Sequence, residues 1–498
     1  MVFIALGAFG LIVILMAAYG YKVSAKTAED YMLGGRTIGV VVMFFFVLFA
    51  VSSAWTFYGF PGILYRHGPG YVFFIWGSVA GFAALYMFLG PRLWAISRIN
   101  GYLSPVEVLA ERYESKALRL ILSVSILAFI VPYVGIQPLG VGVGFQALTG
   151  LPAIWGALYT AALLVVVVLL GGMRIVAWVN IFLGVVYVTA LLGSLIWVVR
   201  GVLPAGLAGA GRWLMENNPE QLSIPGPLGE YRAVLIGGVF VVGLIAFSWP
   251  HIAIGVMTAR DKRLFKWFPL LIFVFGGLFF YIIPFIWGSL VAPVVKPGVT
   301  GALEADRIVQ TIITENLPAW FGLFVVIGVV AAAVSTAAVQ LMTSSVIVAR
   351  DLVQGLFKPE ASDRQITTWA RWSVIGIIIL SLGFSVWNAQ AMALYLTDVS
   401  IPGFAQWAPA LVGGLLWKRG TRQGAIAGTL TGVIYLVLGL LITVGGRRVL
   451  LFNLHPVMPT LIVNLIVYIV VSKLTRRPSE AIQERFFDEP DRFLRSGS

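Results

Sequence analysis

Cysteine is absent from the 498-residue chain, histidine occurs three times (His67, His251, His455), and only 11% of residues are charged. Without cysteine there is no disulfide framework, thiolate nucleophile or thiolate-held metal, and three scattered imidazoles are too few for haem or a metal cluster. Redox enzymes and metalloenzymes are thereby disfavoured. The scarcity of charge accompanies 59% hydrophobic residues and a mean hydropathy of +0.95, more apolar side chain than a soluble domain needs. Lipid must be the solvent for most of the chain. A net charge of +13 would suggest nucleic acid in a soluble protein. Here the Lys and Arg residues sit in short gaps between apolar stretches, where they set orientation instead.

A spanning helix needs roughly 20 mostly apolar residues. That length predicts an all-α integral membrane protein of 13 spans. A leading span covers about 2–21, and spans 1–12 cover about 38–64, 70–91, 120–147, 152–170, 176–199, 233–258, 267–291, 321–349, 372–387, 391–417, 423–444 and 456–472. The leading stretch lacks a basic n-region and a small-residue cleavage site, so it is expected to be retained. Of the 34 Lys and Arg residues, 26 fall in one alternate set of gaps plus the tail: Lys22, Lys26 and Arg36, then 92–119, Arg174, 260–266, 350–371, 418–422 and 473–495. The other set holds 8: Arg66, Arg200, Arg212, Arg232, Lys296, Arg307, Arg447 and Arg448. The positive-inside rule then predicts an outer N-terminus and a cytoplasmic C-terminus, and the expected location is the cell membrane. The outer loops 200–232 and 292–320 are rich in Gly and Pro, the second is expected to hold a short helix at 302–315, and the tail from Lys473 is expected to be a solvated segment.

Spans that only fill lipid can be uniformly apolar, yet spans 1, 3, 6, 8 and 10 carry Gly, Pro and hydroxyl residues in their middles. Broken backbone is tolerated at membrane depth where it lines a cavity or is buried in protein. Span 1 reads Ser52-Ser53-Ala54-Trp55-Thr56 followed by Gly59-Phe60-Pro61-Gly62, and span 6 reads Ser248-Trp249-Pro250-His251. Interrupted helices opening two groups of five spans point to an inverted-repeat transporter with a site near the midplane. The competing reading is close helix packing through small residues. In span 8 the carbonyl of Ala332 and the hydroxyl of Ser335 share one helix face, with Thr336 beside them. Such uncharged oxygens suit a weakly held monovalent cation, and carbonyls freed near Ser52 would complete the shell. Hydroxyls bonding back to the preceding turn explain the same residues equally well.

A set of short stretches, in order along nearly the whole chain, resembles the sodium:solute symporter family. They are Gly35-Arg36, Gly59-x-Pro61-Gly62, Tyr133 with Gln137 and Gly150, Gly171-Gly172 with Trp178, and Pro250-His251 followed by Ala259-x-Asp261. Further on come Ser335-Thr336-Ala337 with Ser344-Ser345 and Asp351, then Trp417-x-Arg419 with Gly424-Ala425 and Gly428. The resemblance implies a leucine-transporter-type fold of 5+5 inverted repeats, working by alternating access. It divides the chain into a leading span and linker (1–36), a first repeat (37–203), an outer loop (204–232), a second repeat (233–420), spans 11–12 (421–472) and a cytoplasmic tail (473–498). It also implies a sodium site built from the carbonyls of Phe49, Ser52 and Ala332 and the hydroxyls of Ser335 and Thr336. Where some members bind a second sodium, this chain has Asn180, Ala338 and Val339, so one sodium per cycle is expected.

By the same resemblance the solute lies between spans 1, 2, 3, 6 and 10, against Ser53, Trp55, Thr56, Tyr133 and Gln137. Trp55 and Tyr133 are similar to the proline-transporting branch, whereas Val242 and Ala246 stand where that branch has aromatics. The Pro-His pair is similar to carriers of short monocarboxylates and pantothenate. With no buried acid to neutralise an isolated amine, a carboxylate-bearing or neutral solute is expected. His251, in the break of span 6, is expected to bond a freed carbonyl rather than the solute. Asp398, near the outer end of span 10, fits either a solvated vestibule or an intramembrane functional role. Proton coupling is the alternative mechanism, and a transporter-like sensor and a multi-span enzyme are the alternative classes. A sensor needs a signalling module, and an enzyme needs a catalytic constellation absent from this sequence. Beyond the coupling ion, no cofactor, nucleic acid or obligatory protein partner is expected.

Overall fold

The computed structural model describes residues 1–23, 27–229, 233–387, 395–444, 448–452 and 454–496. Lys26, Arg232 and Arg447, the end of the outer loop at 230–232, the start of span 10 at 391–394 and the last two residues of the tail lie outside the described residues. Among the described residues there is no strand; a lone bridge pairs Ile38 with Ala259. Eleven helices among the described residues are long and apolar enough to cross a bilayer, beside the shorter apolar helix Val40–Ala50. At 1.5 Å per residue, Ile154–Gly201 would run about 70 Å, twice the hydrocarbon thickness. It is interrupted at Gly172, whose φ of 59° lies in the left-handed region and whose missing side chain lets the carbonyl of Tyr31 approach.

The predicted breaks are where the helices fail. Span 1 is helical over Val40–Ala50, loses its ladder at 51–53 and resumes through Trp55–Gly59 into Phe60–His67. Trp55 folds back over Gly59, where a β-carbon would stand 2.6 Å from the indole, so this turn requires glycine. Span 6 tightens at Ile245–Ser248, becomes extended at Trp249 and restarts at Pro250–Met257. Proline at the first helical position gives up an N–H that would have had no partner there. The loop helix expected at 302–315 forms as Ala302–Asp306 and Ile308–Asn316, and the Gly-rich outer loop contains a further helix at Gly206–Asn217.

The seven basic gaps meet on one face. Arg36 bonds Ser97 and the Tyr102 carbonyl, Arg98 bonds the carbonyls of Arg36, Ala259 and Arg260, and Arg174 pairs with Asp30. Arg350 pairs with Glu107, and Arg422 reaches the Glu114 carbonyl. The tail joins this face, which corrects the expectation of a solvated segment. It forms short helices at Glu480–Gln483, Glu484–Asp488 and Glu489–Arg495. Phe486 and Phe487 are fully buried, Phe493 packs on Trp94, and Asp488, Asp491 and Arg485 engage Lys418, Arg92 and Asn100 respectively. Burying each phenylalanine contributes about 1.5–3 kcal/mol, whereas exposed ion pairs are worth about 1 kcal/mol or less. The rings therefore hold the tail down, and the charges set its register on this face.

Candidate functional site

The break in span 1 leaves the carbonyl of Phe49 outside a regular ladder, and span 8 faces it. Within Ala319–Val346, Ser335 Oγ stands 3.1 Å from Phe49 O and 2.9 Å from Ala332 O, and Thr336 Oγ1 stands 3.5 Å from Phe49 O. A hydroxyl carries one hydrogen, so Ser335 can donate to only one of its two carbonyl neighbours at a time. Phe49, Ala332, Ser335 and Thr336 are all buried. Ser52 donates its N–H to Phe49 O and turns its hydroxyl back onto Leu48 O, so only its main-chain carbonyl is left to offer to the cradle. Neither span 1 nor span 8 has a charged side chain within its predicted bounds. The result is a set of converging, buried, neutral oxygens, the chemistry that hard cations accept.

The residues predicted to meet the solute divide into two aromatic groups. Trp55 stacks on Phe60 at 5.1 Å and meets Phe74 edge-on. Tyr133 packs instead against Trp249, His251 and Phe404, at 6.3, 5.7 and 6.4 Å between ring centres. Gln137 joins the two sides: its Oε1 accepts the N–H of Ala54 at 3.1 Å, and its Nε2 lies 3.5 Å from Tyr133 O. Thr56 Oγ1 accepts the N–H of Ser53 and reaches back to Val51 O. Thus Gln137 Oε1 and Thr56 Oγ1 are spent on the broken backbone of span 1. Ser53 Oγ and Trp55 Nε1 are buried with no hydrogen-bond partner among the described residues.

His251 departs from expectation. Both of its ring nitrogens are buried without a partner among the described residues. The carbonyl freed in its break, that of Ser248, accepts the indole N–H of Trp407 at 2.5 Å instead. The imidazole lies beside Tyr133. Trp249 Nε1 is likewise unpartnered, and neither Trp249 nor Phe404 was singled out from sequence as a site residue. Asp398 is ion-paired with Arg448 at 2.7 Å, and His455 Nε2 lies 3.7 Å from its other oxygen. Asn180, Ala338 and Val339 are fully buried, and the Asn180 amide has no partner among the described residues.

The model of the sodium:solute symporter family matches residues 31–432. The chain belongs to the sodium:solute symporter family. Among curated relatives it is 26% identical to the high-affinity proline transporter PutP of Bacillus subtilis, over 96% of this chain and 99% of that one. It is 25% identical both to the osmoregulated proline transporter OpuE of Bacillus subtilis, over 97% of each chain, and to a sodium/proline symporter of Staphylococcus aureus, over 97% of this chain and 94% of that one. Two solved structures share the fold. A substrate-bound outward-open Na+-coupled sialic acid symporter superposes with a TM-score of 0.80 at 17% identity, covering 96% of this chain and 99% of that one. Mhp1, a nucleobase-cation-symport-1 transporter in a closed conformation, superposes with a TM-score of 0.58 at 14% identity, covering 92% and 98%. Membership of this symporter family makes the chain a multi-span membrane transporter rather than an enzyme.

Proposed function

We propose that this symporter couples one sodium ion per cycle to the movement of a small carboxylate-bearing solute, with proline the first candidate. The observation that carries the reading is the convergence of Phe49 O, Ala332 O, Ser335 Oγ and Thr336 Oγ1 across the break of span 1. Bound there with the Ser52 carbonyl, sodium would turn both hydroxyl hydrogens away and tie span 1 of the first repeat to span 8 of the second. A ligand shifts a conformational equilibrium by its differential affinity for the two states. Sodium that binds only where these spans are close therefore favours the state that admits solute. The solute would meet the unpartnered groups of Ser53, Trp55, Trp249 and His251, with Tyr133 and Phe404 forming an apolar wall.

Proline is favoured by the names of the relatives and by this wall. Val242 and Ala246 supply no aromatic surface, but Trp249 and Phe404 supply it close by. The architecture that goes with this reading is 13 crossings in 5+5 inverted repeats (37–203 and 233–420), flanked by the leading span and by spans 11–12. The basic face would lie in the cytoplasm and the N-terminus outside, in the cell membrane. The test is uptake into vesicles of purified protein under an imposed sodium or proton gradient, across proline, other amino acids and short monocarboxylates. Proline uptake should follow the sodium gradient and saturate hyperbolically with sodium. Uptake that ignores sodium and follows the pH gradient would replace this reading with a proton-coupled carrier, and a sigmoidal sodium dependence would reject a single ion.

A further inference from the structure

On the basic face, away from the symport site, three separate segments enclose a cavity of about 460 Å³. Its lining includes Arg112 at the end of the helix before span 3, Thr421 and Arg422 at the start of span 11, and Arg476, Arg477 and Ser479 at the root of the tail. Glu114 and Glu480 also line it, so arginines outnumber carboxylates two to one. Among the described residues, none of Arg422, Arg476 and Arg477 is in an ion pair.

Arg112 differs from the other three because it is buried, with 1% of its surface exposed. Its Nε and Nη2 bond the carbonyls of Gly414, Trp417, Lys418 and Gly420, while Nη1 has no partner among the described residues. A buried guanidinium with an idle donor calls for an acceptor. The second observation is the N-terminus of Arg422–Leu441, a 20-residue helix whose first N–H groups have no intrahelical partners. Thr421 Oγ1 takes the N–H of Gly424, leaving those of Arg422 and Gln423 at the positive end of the helix dipole. The positive-inside tendency alone would scatter arginines over this face. It does not gather them in a concavity at a helix N-terminus.

We propose that this cavity is an anion site for a phosphate group. Guanidinium forks match phosphate oxygens in pairs. The cavity lies just beyond the last turn of span 12, where Leu474 is exposed at 81%, so a phospholipid headgroup can enter from the side as readily as a free phosphate can enter from water. The site would link span 11 to the tail without touching the sodium cradle.

The test uses full-length protein, delipidated in neutral detergent, and follows the unfolding midpoint during titration with short-chain phosphatidylglycerol, phosphatidylcholine or inorganic phosphate. Phosphatidylglycerol should stabilise the wild type and the distant control Lys358→Gln/Arg364→Gln alike. Arg422→Gln/Arg477→Gln should need at least tenfold more of it, and Arg422→Lys/Arg477→Lys should fall between. The same pattern with inorganic phosphate supports the site and makes the source soluble. Equal responses from all variants to whichever probe binds, or no response to any probe, would overturn the proposal.

Discussion

Span 1 and span 6 are broken in the same way but capped differently. In span 1 the freed carbonyl, that of Phe49, is met by the hydroxyls of Ser335 and Thr336. In span 6 the freed carbonyl, that of Ser248, is met by the indole N–H of Trp407. A hydroxyl can turn its hydrogen aside and offer a lone pair to a cation, whereas an indole nitrogen is only a donor. On the proposed reading, the first break can exchange its hydroxyl hydrogens for an ion. The second is clamped. Unwinding a helix therefore does not suffice to make an ion site, because the group that caps the freed carbonyl decides.

The largest effect should come from emptying the exchangeable cap. Ser335→Ala with Thr336→Ala removes two oxygens that would each contribute about 1.5–3 kcal/mol to a charged partner. The sodium concentration for half-maximal uptake should rise at least about 100-fold, at 1.4 kcal/mol per decade. Sodium stimulation surviving both changes would put the cation elsewhere and dissolve the contrast between the breaks.

Removing the clamp should act on stability instead. Trp407→Phe leaves the Ser248 carbonyl buried without its donor, at a cost of about 1–3 kcal/mol, read as a lower unfolding midpoint. Sodium dependence should move by less than about twofold, roughly 0.4 kcal/mol. A sodium shift as large as that of the double alanine would mean that both breaks belong to one ion site. Gln137→Leu comes next in size. It leaves the buried Ala54 N–H without its acceptor, and since that 3.1 Å bond is longer than the one to Trp407 the cost falls at the lower end of about 1–3 kcal/mol. The expected readout is stability in the absence of solute. A change confined to the solute KM would return Gln137 to the solute-contacting role the family resemblance implies.

Much of this architecture is legible in the residues, because apolar length, the spacing of Lys and Arg, and Gly, Pro and Ser inside spans are local signals. The pairing of Ala332 with Ser335 follows from helical periodicity within one span. What lies across the fold is not legible. Nothing near Ser248 announces Trp407, 159 residues away, and nothing near Ala54 announces Gln137, 83 residues away. The docked tail is an intermediate case: Phe486, Phe487 and Phe493 among alternating charges signal an amphipathic segment, but the surface it covers is assembled from three other gaps. Arg112 reads as one more topological charge until the carbonyls of 414–420 close around it.

The smallest predicted effect separates oxygen from packing. Thr336→Ser keeps the hydroxyl and removes one buried methyl, worth about 0.8 kcal/mol of stability. The serine oxygen can take the place of Thr336 Oγ1, which already stands 3.5 Å from Phe49 O. Sodium affinity should therefore stay within about threefold, roughly 0.65 kcal/mol, while the unfolding midpoint falls slightly. If Thr336→Ser weakens sodium stimulation as severely as Thr336→Ala, the methyl group is the working part. The hydroxyls would then be bonding back along their own helix, and the break of span 1 would be clamped like that of span 6.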